Sequence, residues 1–398
     1  MMATRRASRE RRVRTVAIIA YSVLAIGLVA VLALALLATL RAPNALTIEA
    51  DESEPAIVEV VQSMQRSLTE AGFEVEVLDN GDEDIVVEKV QDVADQRSVD
   101  LGVTARAVNA RQFPNVVSLG VVAKIPLIIV ARGADGTLDS PADLIGKRIQ
   151  IGDFASVSAD IAKRLLAEYG VTADNSTLQR DSLDVAEQML KDGLSDAVVV
   201  LYSPKSQGLE DLVTLDNYTI VPMPSTKALA GKLGDVDVGI LPKGSYSITA
   251  NSPSEDMDVV LVPITAVAND GISTSAVYAM AQGLKEDFGP ADVLSSPGEF
   301  PQPSSNLPNH PDAESYYQTS SIPWQFRELP PALADLFIPL ALIGTIFLLA
   351  ASVYQVILPE AYSLWTGVLR PGRQRRRERR EDKRAARAAR KHAGDQEV

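Results

Sequence analysis

Ser156 and Ser158 stand immediately ahead of a stretch whose apolar residues recur at helical spacing. Hydroxyls in that position either cap the helix, worth about 1 kcal/mol, or join its exposed N–H groups in holding a carboxylate. Thr104 and Arg106 follow the apolar run Leu101–Thr104. A guanidinium there can grip a carboxylate through two parallel hydrogen bonds, or lie solvated at the surface. Tyr202 and Ser203 close a further apolar run, Ala197–Leu201. Asp51, Glu52, Ser53 and Glu54 follow the run Leu46–Ala50. The three acids suit a cation or an amine, or a solvated loop at a helix start, where negative charge favours the helix dipole. Ligands of open α/β sheets sit beyond the carboxyl ends of strands. Ser53, Thr104, Arg106, Ser156, Ser158, Tyr202 and Ser203 all fall at such ends, and they are the candidate ligand-binding residues.

The sequence offers little to enzymatic chemistry. The chain has 398 residues and no cysteine, which excludes disulfides, zinc–thiolate sites and iron–sulfur clusters. His310 and His392 are the only histidines, so histidine metal sites and a Ser-His-Asp triad are not expected. No G-x-S-x-G elbow, P-loop, H-E-x-x-H or dinucleotide glycine triplet occurs. Carboxylates are abundant but scattered. No catalytic residue, cofactor or metal is assigned.

The formal net charge is −14, unevenly spread: residues 1–14 carry +5 and residues 370–398 carry +7, leaving −26 on residues 15–369. Such an acidic body repels nucleic acid. Thr15–Leu40 is an uncharged run of 26 residues, longer than the ~20 a helix needs to cross a bilayer. It also exceeds the roughly 7–15 residues of a signal-peptide core. Leu336–Pro359 is a second uncharged run, with Trp324 and Phe326 before it and Tyr354, Tyr362 and Trp365 at its far end. Aromatics at both ends suit the two membrane interfaces. Arginines flank both spans on their outer sides, so positive-inside bias places both termini in the cytoplasm and residues 41–330 outside. The basic tail then also touches anionic headgroups.

Between the spans, Leu46–Ala50, Phe73–Val77 and Leu101–Thr104 read as strands, and Pro55–Ala71 and Ile85–Ala94 as helices. This β-α-β-α-β order implies a parallel sheet with helices on its faces. Val116–Val122 and Ile125–Ala131 are two apolar runs. A second set follows: strand Ile149–Ile151, helix Ser158–Tyr169, helix Leu183–Lys191 and strand Ala197–Leu201. Val236–Leu241, Val259–Ile264 and the helical Thr274–Leu284 close the domain. Two such sets predict two lobes, one of about residues 45–131 with 228–285, the other of about 135–225. Residues 289–311 carry Pro290, Pro297, Pro301, Pro303, Pro308 and Pro311 and read as part of an extended tether, 286–331, to the second span at 333–358.

Three segments carry a resemblance to a known family. Ser140-Pro-Ala-Asp-Leu-Ile-Gly-Lys-Arg-Ile-Gln-Ile-Gly152 resembles the entry to the second lobe of type II periplasmic binding proteins. Ile240-Leu-Pro-Lys-Gly-Ser-Tyr246 with Asp258–Val267 resembles the TAXI group of TRAP-transporter solute-binding subunits. Asn309–Tyr317 with Arg327-Glu-Leu-Pro330 resembles the C-terminally membrane-anchored members of that group. The resemblance covers about residues 46–358. It implies a two-lobed α/β domain of type II periplasmic-binding-protein type, flanked by two transmembrane helices. It further implies capture of a small carboxylate or amino-acid-like solute between closing lobes, a TRAP-type membrane permease as partner, and Tyr246 near the cleft. Members of the group carry glycine-rich loops after the first strand and after the first strand of the second lobe. Here those loops are Asp51-Glu-Ser-Glu-Pro55 and Gly152-Asp-Phe-Ala-Ser-Val-Ser158. The departure keeps a second reading open: a binding-protein scaffold that no longer takes solute and serves as an envelope interaction or sensor protein.

Overall fold

A computed structural model describes residues 45–51, 54–79, 83–91, 99–133, 137–153, 156–202, 210, 212–213, 217–346 and 349. Residues up to Asp335 form one compact unit, and Leu336 begins a second.

The first unit opens with β1 (Ala45–Ala50), α1 (Pro55–Glu70), β2 (Glu74–Asp79), α2 (Glu83–Gln91) and β3 (Leu101–Thr104). β1 pairs in parallel with both β2 and β3, as the β-α-β-α-β pattern predicts. β4 (Val116–Arg132) follows, then β5 (Arg148–Gln150), α3 (Val157–Glu168), β6 (Thr177–Gln179), α4 (Leu183–Lys191) and β7 (Ala197–Leu201). β5 pairs in parallel with β6 and β7, a second parallel set. β8 (Tyr218–Ile220), α5 (Thr226–Leu233), β9 (Asp237–Leu241), β10 (Met257–Asn269) and α6 (Thr274–Phe288) come next. Among the described residues ten strands form one mixed sheet, ordered β2-β1-β3-β10-β4-β7-β5-β6, with β8 on β4 and β9 on β10.

Two long antiparallel strands join the two parallel sets. β4 and β10 pair from Val260 opposite Leu127 to Asn269 opposite Val116. β10 also pairs with β3 of the first set, and the second half of β4 with β7 of the second. The sequence expects two strands over 116–131. The backbone makes one, because Ala123 and Lys124 between the apolar runs stay in register with Ile264 and Pro263. Nearly every residue of β4 is buried or half-buried, as suits a strand covered on both faces.

Helical spacing fixes what each helix buries. α1 turns Ile57, Val60, Met64 and Leu68 inward, all at 0% exposure. Fully burying each such side chain contributes about 1.5–3 kcal/mol. α1 packs on α6, and the contact is close because position 283 is glycine. A Cβ there would lie 1.7 Å from Ser67 Oγ.

Residues 289–311, read from sequence as part of a tether, are docked on the sheet instead. Val121 and Gln302 exchange backbone hydrogen bonds of 2.7 and 2.9 Å. Ser118 N–H donates to Pro308 O, and His310 N–H donates to Ser118 O, both at 2.8 Å. Helix α7 (Pro311–Thr319) follows, and its Tyr317 hydroxyl donates to Leu119 O at 2.7 Å. The prolines do not free this segment. They leave its few N–H groups to pair with the Ser118–Val121 stretch of β4. A short α8 (Trp324–Glu328) sets Phe326 against Tyr278, ring centroids 5.2 Å apart.

Residues 331–346 are helical. In the second unit Phe337, Ile338, Leu342, Ile343, Ile346 and Leu349 are exposed. Among the described residues no helix is long and apolar enough to cross a membrane. The expected first span 15–40, both basic termini and most of the second span beyond residue 346 lie outside the described residues.

Candidate functional site

The loop after β5 delivers the chain into α3 through Gly152, whose φ is +106°. A Cβ at this position would meet Ser158 Oγ at 2.5 Å and Ala159 N at 3.1 Å. Only glycine tolerates both the backbone angle and the approach. Ser156 is the N-cap of α3, and its Oγ accepts from Ala159 N–H at 3.2 Å. The same hydroxyl donates to Asp153 O at 3.0 Å and lies 3.1 Å from Ser158 Oγ. Ser156 and Ser158 are both buried.

The N–H of Ser158 remains, and a carboxylate accepts it. The acceptor is Glu54 Oε1, at 3.2 Å and 104 residues earlier in sequence. Glu54 belongs to the β1–α1 loop of the first parallel set, whereas Ser158 belongs to the second. Glu54 occupies the N-cap position of α1 with Pro55 at N1, yet its side chain makes no capping bond there. Its backbone carbonyl holds Ile57 and Val58, while the carboxylate turns to the N-terminus of α3. Glu54 is 4% exposed. Burial pushes its pKa up to about 7, helped by the nearby Asp51; hydrogen bonds from Ser158 and Ser156 pull the other way without prevailing. The crevice lined by Glu54, Gly152, Asp153, Ser158 and Leu183 retains only about 20 Å³, room for about one water.

The two described acids of this loop are therefore not solvated. Asp51 and Glu54 are both buried. Sequence reasoning offered Glu54 a cation or amine role or a solvated place at a helix start, not a contact with the N-terminus of a distant helix. A signal was nonetheless present: glutamate ahead of Pro55 is not among the preferred N-caps, which leaves the carboxylate for another use.

The other candidates divide between two places. Tyr202 closes β7, is buried, and donates from Oη to Glu187 Oε1 at 2.9 Å. Burial, with Glu187 beside it, raises its pKa; Asp184 and Glu54 act in the same direction. Tyr202 therefore lies near enough to Glu54 to feel its charge, next to Leu201, which lines the crevice. Tyr246 packs in the same apolar cluster as Tyr202. Its hydroxyl, whose pKa burial raises, finds no hydrogen-bond partner among the described residues. Thr104 is fully buried, and its Oγ1 accepts from Arg106 N–H at 3.1 Å. Arg106 lines a separate cavity of about 280 Å³ with Lys124, Asp235, Thr265, Gln302 and Asn306. Lys124 and Asp235 are paired there, with Asp237 and Arg164 respectively. Ser53 and Ser203 lie outside the described residues. The structure thus groups Ser156, Ser158 and Tyr202 around Glu54 and puts Arg106 elsewhere. Among the described residues no cluster of acids or histidines is arranged to hold a metal ion.

A family model described as NMT1/THI5 like matches residues 68–241. The matched stretch holds Thr104, Arg106, Ser156, Ser158 and Tyr202, but neither Glu54 nor Tyr246. Solved structures similar to this chain include the substrate-binding protein of an amino acid ABC transporter. That likeness has 14% identity, 61% of this chain and 92% of that chain covered, and a TM-score of 0.37. The BenM effector binding domain with benzoate is similar at 10% identity, 61% and 91% coverage and a TM-score of 0.40. The alkanesulfonate-binding protein SsuA from Xanthomonas axonopodis pv. citri bound to MOPS is similar at 15% identity, 61% and 73% coverage and a TM-score of 0.36.

Proposed function

We propose that this chain is a membrane-anchored extracytoplasmic solute-binding protein of a TRAP-type (TAXI) transport system. It captures a small carboxylate or amino-acid-like solute between two lobes and hands it to a membrane permease. The observation that carries this reading is the Glu54 contact. A carboxylate from the first parallel set already sits on the Ser158 N–H at the N-terminus of α3. That N–H is thus placed to bond a carboxyl oxygen in a crevice between the two sets, at a helix N-terminus of the kind that receives anions. The charge pattern and the two uncharged runs support an anchored domain outside the membrane with both termini in the cytoplasm. Double anchoring raises the local concentration of the domain near a permease in the same bilayer.

The same contact favours a second reading. Glu54 fills the place a solute carboxylate would take, and about 20 Å³ remains. A scaffold that has replaced its solute with its own side chain would serve as an envelope interaction or sensor protein. A thermal-shift screen of the full chain in nanodiscs separates the two. The panel is carboxylates, amino acids, polyamines and divalent cations. A ligand at 100 times its dissociation constant stabilises the fold by about 2.7 kcal/mol. Stabilisation by carboxylates or amino acids upholds solute capture. A silent panel, with the protein folded, upholds the scaffold.

A further inference from the structure

We infer that Glu54 is a built-in competitor for the solute carboxylate: seated on the N-terminus of α3, it latches the two parallel sets together in the empty protein, and a solute binds by displacing it. The inference rests on the solute-binding reading and names the residue that sets its selectivity.

Geometry carries the argument. A glutamate at an N-cap ordinarily faces its own helix or water. Glu54 turns away from α1 and accepts the N–H of Ser158, 104 residues on. It is nearly sealed from solvent, and so are the two serines around it. The contact joins the loop after β1 to the first turn of α3, the helix after β5; β1 and β5 are the first strands of the two parallel sets. The residues lining the crevice at this contact leave about 20 Å³ between them. A solute carboxylate and Glu54 cannot both accept the Ser158 N–H, because the crevice around it retains only about 20 Å³. Entry of one requires departure of the other.

Displacement also moves a proton. Seated, Glu54 faces Asp51 from its own loop, Asp153 from the β5–α3 loop and Tyr202 from the end of β7, with Glu187 and Asp184 of α4 beyond that tyrosine. These surroundings favour its neutral form. Released to water, the carboxylic acid gives up its proton to solvent, and the ionised side chain regains hydration. The seated state is therefore favoured at acid pH, and the latch loosens as pH rises through 7. Solutes that pay the full cost of displacement are those with a second polar group to fix in the crevice. A bare carboxylate such as acetate competes poorly until the glutamate is gone.

The test uses the full cysteine-free chain in nanodiscs, spin-labelled at two exposed sites, Glu59→Cys on α1 and Lys163→Cys on α3. Distances are read by pulsed electron resonance, and acetate binding by thermal shift and ligand NMR. In Glu54→Ala the α1–α3 distance lengthens and broadens, and acetate binds at least tenfold tighter than to the parent. Glu54→Asp, one methylene shorter, moves in the same direction and guards against a misfolded alanine variant. In the parent the long-distance population grows between pH 6 and pH 8; in Glu54→Gln it stays constant. An unchanged distance in both Glu54→Ala and Glu54→Asp, with acetate no tighter, overturns the latch. A lengthened distance with no carboxylate bound by any variant keeps the latch and instead defeats solute capture.

Discussion

At the scale of single residues, Glu54 makes an unusual pH signature. Its pKa is raised from 4.5 unfolded to about 7 folded. A raised carboxyl pKa means that folding favours the protonated form. The stability it confers is present below about pH 4.5 and is lost as pH rises through 7. At roughly 1.4 kcal/mol per unit, the loss is up to about 3 kcal/mol. Glu54→Gln keeps the shape without the charge, so its urea midpoint exceeds the parent's at pH 8 and the gap closes at pH 5. Asp196 has the opposite sign. Hydrogen bonds from Arg148 at 2.8 and 3.0 Å hold its carboxyl below the ordinary value. Its contribution is present above the unfolded pKa and fades as acid protonates it, although partial exposure keeps it small. A second residue-scale expectation concerns Gly152. Gly152→Ala forces a side chain onto Ser158 Oγ at a left-handed φ, costing about 1–3 kcal/mol. Equilibrium denaturation measures this cost, and displacement of the α3 N-terminus weakens carboxylate binding in the same variant.

At the scale of elements, the α1–α6 contact and the paired long strands decide the packing. Gly283→Ala places a methyl within 1.7 Å of Ser67 Oγ. Overpacking of this kind costs about 1–3 kcal/mol. Adding Ser67→Ala relieves part of it in a double-mutant cycle; strict additivity of the two changes would show that the helices do not meet there. The element boundaries were legible wherever periodicity had a single explanation. Pro55–Glu70, Leu183–Lys191 and Ala197–Leu201 match the two expected helices and the expected strand within one residue. β4 was not legible as one strand, because Ala123 and Lys124 separate two apolar runs and yet pair with Ile264 and Pro263. The docking of residues 289–311 was not legible either. Proline density signals extended backbone, and extended backbone serves a tether and an added strand segment equally.

At the scale of the molecule, the proposed topology makes a clear expectation. The chain has no cysteine, so single cysteines report their own location. Ser305→Cys, at an exposed position, reacts with a membrane-impermeant maleimide in intact cells. Ala388→Cys in the basic tail reacts only after permeabilisation. Equal labelling of both before permeabilisation defeats the two-span arrangement. Of the proposed site, sequence singled out the α3 serines and Tyr202 through their places at strand ends. It separated neither Arg106, which lies in another cavity, nor Glu54, whose burial depends on a contact 104 residues away.

The sequence by itself determined the alternation of strands and helices, the acidic character of the body and the absence of cysteine chemistry. These are properties of neighbouring residues and of totals. Only the tertiary structure decided that one sheet unites both parallel sets, that residues 289–311 dock on it, and that Glu54 occupies the N-terminus of α3. Each of those depends on distant segments meeting. Local propensity carries no information about such encounters, because burial and long-range hydrogen bonding select them once the chain has closed on itself.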